Sequence, residues 1–178
     1  MKKVICIGLL IVSIAVGAKS TNSTKLLNVD GKVVGSVSVS LYDERSLFEI
    51  SLWNIEPGWH AMHVHENGDC SDAQDGFKKS GAHLNPDNKS HGLKNEDGFH
   101  RGDLANIYAF ARPSSQEKTQ DPVVQARAEQ IIPWVSESSP IGKVAIILHE
   151  GKDDYQTDPT GGAGNRIACG VIELGKTN

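Results

Sequence analysis

The chain holds seven histidines, and six of them fall between positions 60 and 100. An imidazole serves as a metal ligand, as a proton carrier, or simply as a satisfied buried side chain. Spacing helps to separate these uses. His63 and His65 lie two apart in a β-forming run, so both rings leave one face of a strand and can reach one ion. Alone, that pair would equally suit two hydrogen-bonded core histidines. His83, His91, His100 and Asp103 follow in a stretch rich in Gly, Asn, Asp, Lys and Ser. Three imidazoles and a carboxylate form a closed four-ligand set that suits tetrahedral zinc. His149 ends an apolar run far along the chain, and spacing alone does not bring it to the His63/His65 face.

These groups need a frame. The chain has 178 residues, enough for one domain plus a removable segment. Its 18 glycines and seven prolines suit a loop-rich β protein. Strand-forming runs at Val33–Leu41, Leu47–Trp53, Trp59–Glu66, Leu104–Ala111, Val144–Leu148 and Arg166–Leu174 are separated by turn residues such as Asp30-Gly31 and Pro57-Gly58. Leu26–Val29 leads into the first turn. Val123–Val135 reads either as a strand, from its alternation, or as a short helix, from its Ala, Gln, Arg and Glu content. Short strands and tight turns predict an antiparallel sandwich or barrel. Two long stretches, Asn67–Gly102 and Glu150–Asn165, interrupt it, and Pro113–Pro122 reads as a polar loop. A loop as long as the first needs something to organise it, and a metal would do so.

Met1-Lys2-Lys3 and the uncharged run Val4–Ala18, ending in Val-Gly-Ala, read as a secretory signal over 1–18, cut after Ala18. The alternative, an uncleaved anchor, meets the objection that fifteen residues are short for a membrane span. The domain is then 19–178, periplasmic or secreted, with no membrane association after cleavage. Loss of Lys2 and Lys3 leaves 16 basic and 22 acidic residues, a net charge of −6. No strongly basic face is implied, which argues against nucleic acid as a partner. Cys70 and Cys169 remain, and in an exported chain they are expected to form a disulfide rather than stay as two buried thiols.

At this point the residues resemble a family. Gly58-Trp-His60-Ala-Met-His63-Val-His65-Glu-Asn-Gly-Asp-Cys70 is similar to the copper-binding strand of Cu/Zn superoxide dismutases. Ser80-Gly-Ala-His83-Leu-Asn-Pro, His91-Gly and Gly98-Phe-His100-Arg-Gly-Asp103-Leu resemble that family's zinc loop. Leu148-His149-Glu-Gly-Lys-Asp153-Asp154-Tyr and Gly161-Gly-Ala-Gly-Asn-Arg166-Ile-Ala-Cys169-Gly-Val-Ile look like its last copper ligand and its C-terminal signature. The resemblance covers nearly all of 19–178 and is weakest from Pro113 to Pro140.

The resemblance implies an all-β, eight-stranded antiparallel Greek-key sandwich or barrel with two long functional loops. It implies one copper per subunit on His63, His65, His83 and His149. One zinc would sit on His83, His91, His100 and Asp103, with His83 bridging the two ions. It implies that Asp153 connects a copper ligand to a zinc ligand, that His60 braces a loop, and that Cys70 pairs with Cys169. Arg166 would guide and orient superoxide, and Arg166 and His83 would be the catalytic groups. Ala61, Met62 and Gly162 stand where glycine, phenylalanine and asparagine are usual, and none of these changes removes a ligand. The Cys70–His83 segment is longer than in animal enzymes and resembles bacterial forms. The loop differences leave monomer and homodimer both open. The competing functions are a copper or zinc store without turnover, and a catalytically dead binding domain.

Overall fold

The structure is a computed structural model that describes residues 20–112, 123–133, 135 and 140–175. The expected signal segment and the loop Pro113–Pro122 lie outside the described residues. Nine strand segments appear in chain order: β1 (Ser20–Asn28), β2 (Val33–Leu41), β3 (Ser46–Leu52), β4 (Gly58–His60), β5 (Met62–His65), β6 (Ile107–Ala109), β7 (Ala126–Ile132), β8 (Pro140–His149) and β9 (Arg166–Gly175). Seven form one antiparallel sheet in the order β5-β8-β9-β1-β2-β3-β7, and β4 pairs with β6 in a second. The only other regular pieces among the described residues are single 3₁₀ turns at Ala73–Asp75 and Lys78–Ser80. No helix among them is long and apolar enough to cross a membrane.

The sheet curls around a core because β2, β3, β8 and β9 each turn an apolar face inward. Val37, Val39 and Leu41 alternate with Ser36, Ser38 and Ser40 along β2, and only the valines and leucine are buried. Phe48, Ile50 and Leu52 do the same on β3. These side chains meet Val144, Ile146 and Leu148 of β8 and Ile172 and Leu174 of β9 in one core. The opposite face of β8 and β9 carries a second cluster, where Ala145, Ile147 and Cys169 pack under Phe77 of the Cys70 loop.

Two elements differ from the sequence reading, and a third resolves an alternative it left open. The expected strand Trp59–Glu66 breaks at Ala61, so that its halves join different sheets. Ala61 donates its N–H to the Gly151 carbonyl and accepts from the N–H of His149 at the end of β8, so neither of its backbone groups is left to pair with β6. Counted as one broken strand, β4 and β5 restore the expected eight. The run Leu104–Ala111 is strand only at Ile107–Ala109, because Leu104 and Asn106 hold other parts of the chain. The ambiguous segment is a strand. All seven residues of β7 pair in register with β3, and this long-range ladder outweighs the helix-forming composition.

Candidate metal centre

Strand β5 places His63 and His65 on one side while Met62 and Val64 enter the core. One edge of β5 pairs with β8. Its other edge is covered by the loop: Val64 donates to the Gly102 carbonyl and accepts from the Leu84 N–H, each at 2.8 Å. Isolated bridges join His63 to Asp103 and His65 to His83. His149 arrives at the end of β8, paired with Arg166 at the start of β9. The return of His149 to the His63/His65 face, which spacing did not establish, is therefore made by the β5–β8 pairing.

Two four-residue groups result, both buried: His63, His65, His83 and His149, and His83, His91, His100 and Asp103. Within each, one donor atom per residue lies within 4.8 Å of all the others. His83 belongs to both.

Hydrogen bonds decide which nitrogen each ring leaves free. His63 donates from Nε2 to Asp153 Oδ2 at 3.0 Å. His65 and His149 donate from Nδ1 to the carbonyls of Gly81 at 2.9 Å and Gly164 at 3.2 Å. His83 turns Nδ1 toward Asp103 Oδ1 at 2.9 Å. The remaining nitrogens, His63 Nδ1 and the Nε2 atoms of His65, His83 and His149, are buried and have no hydrogen-bond partner. A buried polar atom without a partner is costly, and four converging on one point fit a cation with nitrogen ligands.

The second group converges on one oxygen. Asp103 Oδ1 lies 2.9, 3.1 and 3.2 Å from the Nδ1 atoms of His83, His91 and His100. Ligand atoms of a tetrahedral ion with bonds of about 2.0–2.1 Å stand roughly 3.3 Å apart. His91 Nδ1 is close enough to Asp103 yet out of line for a hydrogen bond, and so counts among the unpartnered atoms. Asp103 Oδ2 accepts from the N–H groups of Gly92 and His100, which fixes the carboxylate. Residues and spacing thus fit a zinc ion.

Charge follows the same logic. Burial, with repulsion from neighbouring histidines, lowers His65 to about 2, His149 to about 3 and His83 to about 4, and burial lowers His63 as well. All four are neutral at pH 7, the form that ligates a metal. For Asp103, burial opposes ionisation, but the hydrogen bond from His83 and the close approach of His91 prevail and hold it well below the usual carboxylate range.

Asp153 joins the groups. Its Oδ2 meets His63 and its Oδ1 lies 3.0 Å from His91 Nε2. His60 lies with its ring nitrogens 2.8 Å from the carbonyls of Glu56 and His149. Arg166 donates from Nη1 to the Phe77 carbonyl and Ser80 Oγ, and from Nη2 to the Gly81 carbonyl. It lines a cavity of about 540 Å³ together with His83, His100 and Glu66. Cys70 and Cys169 form a disulfide, so the two-thiol alternative falls away. The sequence reading missed Asn106, which holds Asp153 by two hydrogen bonds to its backbone, and Tyr155, whose hydroxyl accepts from the Asn106 N–H. The gap of 47 residues between Asn106 and Asp153 left no local signal.

A curled antiparallel β domain with two buried ligand groups sharing one histidine defines a paired-metal protein. The sequence model of the copper/zinc superoxide dismutase (SODC) family matches residues 33–172. A Cu-Zn superoxide dismutase of Caulobacter vibrioides is 38% identical over 145 residues, covering 81% of this chain and 80% of the relative. One from Aquifex aeolicus is 34% identical over 165 residues, covering 92% and 93%. The solved Cu/Zn superoxide dismutase of Brucella abortus superposes with a TM-score of 0.66 at 30% identity, covering 86% of this chain and all of that one. The chain belongs to the copper/zinc superoxide dismutase family.

Proposed function

We propose that the chain is an exported superoxide dismutase that holds copper at His63, His65, His83 and His149 and zinc at His83, His91, His100 and Asp103. The observation that carries this reading is the set of four buried imidazole nitrogens without partners, one of them on a ring whose other nitrogen faces the zinc group. The reaction converts two superoxide anions and two protons to one dioxygen and one hydrogen peroxide, with one electron passing from the first superoxide to the second. Copper, when bound, supplies the one-electron step, which zinc cannot.

The chain's own residues do the rest. Arg166 places a fixed cation on the cavity wall, where it draws in and orients the anion. With Nδ1 given to the zinc group, His83 would be free to hold a proton at Nε2, which would put a proton donor where peroxide forms. Asp103 and Asp153 keep the rings in place between turnovers. The disulfide and the bacterial relatives support a periplasmic or extracellular protein, and the charged start and apolar run of residues 1–18 support its release by signal cleavage. A metal store would have no use for a cation on the wall of the cavity. The test is superoxide decay with the copper- and zinc-loaded chain, with metal content measured on the same sample. Full loading with no decay above the free-metal control would leave the storage reading.

A further inference from the structure

Two copper-group histidines are each followed by a glutamate, as His65-Glu66 and His149-Glu150. The surroundings of the two pairs repeat. His65 Nδ1 donates to the Gly81 carbonyl, and His149 Nδ1 to the Gly164 carbonyl. The Glu66 N–H donates to the Ala82 carbonyl at 3.0 Å, and the Glu150 N–H to the Asn165 carbonyl at 2.9 Å. Each side chain then returns to that same residue: Glu66 Oε1 accepts from the Ala82 N–H at 3.1 Å, and Glu150 Oε2 from Asn165 Nδ2 at 2.8 Å. In both places the residue that presents its carbonyl is a glycine in the left-handed region, at φ +78° and +76°. An added Cβ would lie 2.7 Å from Glu66 Oε1 at Gly81 and 2.7 Å from Glu150 Cγ at Gly164. Glutamate and glycine thus pack against each other so closely that a side chain on either glycine would displace the glutamate.

We infer that Glu66 and Glu150 are paired positioning residues: each pins the segment whose glycine carbonyl sets the tautomer and the aim of the histidine before it. The inference rests on the copper reading of that histidine group. A ring whose Nδ1–H loses its acceptor is free to turn or to change tautomer, and its Nε2 then no longer points at the shared ion. The two clamps meet at Arg166. It follows Asn165 in the chain, and it donates to the same Gly81 carbonyl that receives His65. Both glutamates are exposed, so truncating them leaves the core intact. Glu150 holds Asn165, away from the Asp103 group, so the zinc site serves as an internal control for Glu150, whereas Glu66 holds Ala82, the neighbour of the shared His83.

The test uses the full mature chain, loaded with copper and zinc, as Glu66→Ala, Glu150→Ala and the matching Gln variants. Copper affinity is measured by competition with a chelator and copper geometry by electron paramagnetic resonance. Each alanine variant should bind copper about 3- to 10-fold more weakly with an altered copper spectrum, below the 10- to 100-fold seen when a direct partner of a ligand is lost. Zinc affinity should not change in the Glu150 variants. Each glutamine keeps an acceptor oxygen and should restore the parent spectrum. Alanine variants with parent affinity and spectrum, or glutamine variants as impaired as alanine, would overturn the inference. A parent chain that takes up no copper would instead overturn the dismutase reading beneath it.

Discussion

Arg166 Nη2 lies 2.9 Å from the Gly81 carbonyl oxygen, the same oxygen that accepts His65 Nδ1–H. The cation of the cavity and a copper-group ring are thus hung from one backbone atom. With Phe77 and Ser80 as further acceptors, the guanidinium has little freedom to move.

That placement predicts the behaviour of Arg166→Ala. The loop Glu150–Asn165 carries Glu150, Asp153, Asp154 and Asp158 against Lys152 alone, so attraction of an anion must be local. One charge at about 6 Å is worth roughly 0.7–2.8 kcal/mol for an effective dielectric of about 80 to 20, a factor of about 3 to 100 in rate. At matched copper occupancy, Arg166→Ala should slow superoxide removal within that range. Added salt should slow the parent more than the variant. Arg166→Lys keeps the charge but cannot reproduce the three-acceptor fork, and should recover only part of the rate. Equal rates and equal salt slopes for parent and alanine variant would remove the steering role.

Asp153 spans both metal groups, one oxygen on His63 and the other on His91. An asparagine there offers one acceptor where the carboxylate offers two. Asp153→Asn should therefore weaken copper or zinc binding by about 10- to 100-fold, depending on which ring faces the amide nitrogen. Titration of both metals into the variant checks this. Unchanged affinity for both would show that the bridge does no more than fill space.

Asp103 is the only carboxylate in the zinc group. Its loss in Asp103→Ala should cut zinc affinity and lower the melting temperature, while the four nitrogens of the copper group stay assembled. Zinc content and a thermal scan of the variant are sufficient, and parent values for both would contradict the assignment.

Metal removal should expose a pH dependence. In the metal-free chain His63, His65, His83 and His149 titrate below their ordinary 6.5 because they are buried. The unfolded state then binds more protons than the folded state as pH falls below about 6.5. Stability drops, by up to about 1.4 kcal/mol per pH unit for each histidine, down to the folded-state values near 4, 3 and 2. His91 has the opposite sign: burial pushes it down, but the adjoining carboxylates of Asp103 and Asp153 prevail and raise it to about 9. Its contribution is complete below 6.5 and is lost as pH rises toward 9. Urea midpoints of the chelated chain should therefore peak near pH 6.5–7. A flat profile between pH 5 and 7 would contradict the buried neutral rings.

The donor residues were legible in sequence because their chemistry is strong and their motifs are local. His63-Val-His65 needs only the two-residue period of a strand, and His83 through Asp103 needs only one loop. What binds these pieces was not legible. The break at Ala61 depends on backbone bonds to Gly151 and His149, some 90 residues away, in a run that reads as one continuous strand. Asn106 and Tyr155 hold Asp153 through contacts that leave no periodic trace. The helix-or-strand ambiguity of Val123–Val135 was settled by β3, which supplies a partner for every residue of β7. Glu66 and Glu150 read as ordinary surface charges until the facing glycines are seen beside them.

The most direct measurement is made on the purified mature chain: copper and zinc per subunit, and the rate of superoxide decay on the same sample before and after selective removal of copper. The account predicts one copper and one zinc, rapid decay that vanishes with copper and returns on adding it back, and a zinc content that stays at one throughout. A chain that holds both metals and yet leaves superoxide decay at the rate of the copper-free sample would contradict it.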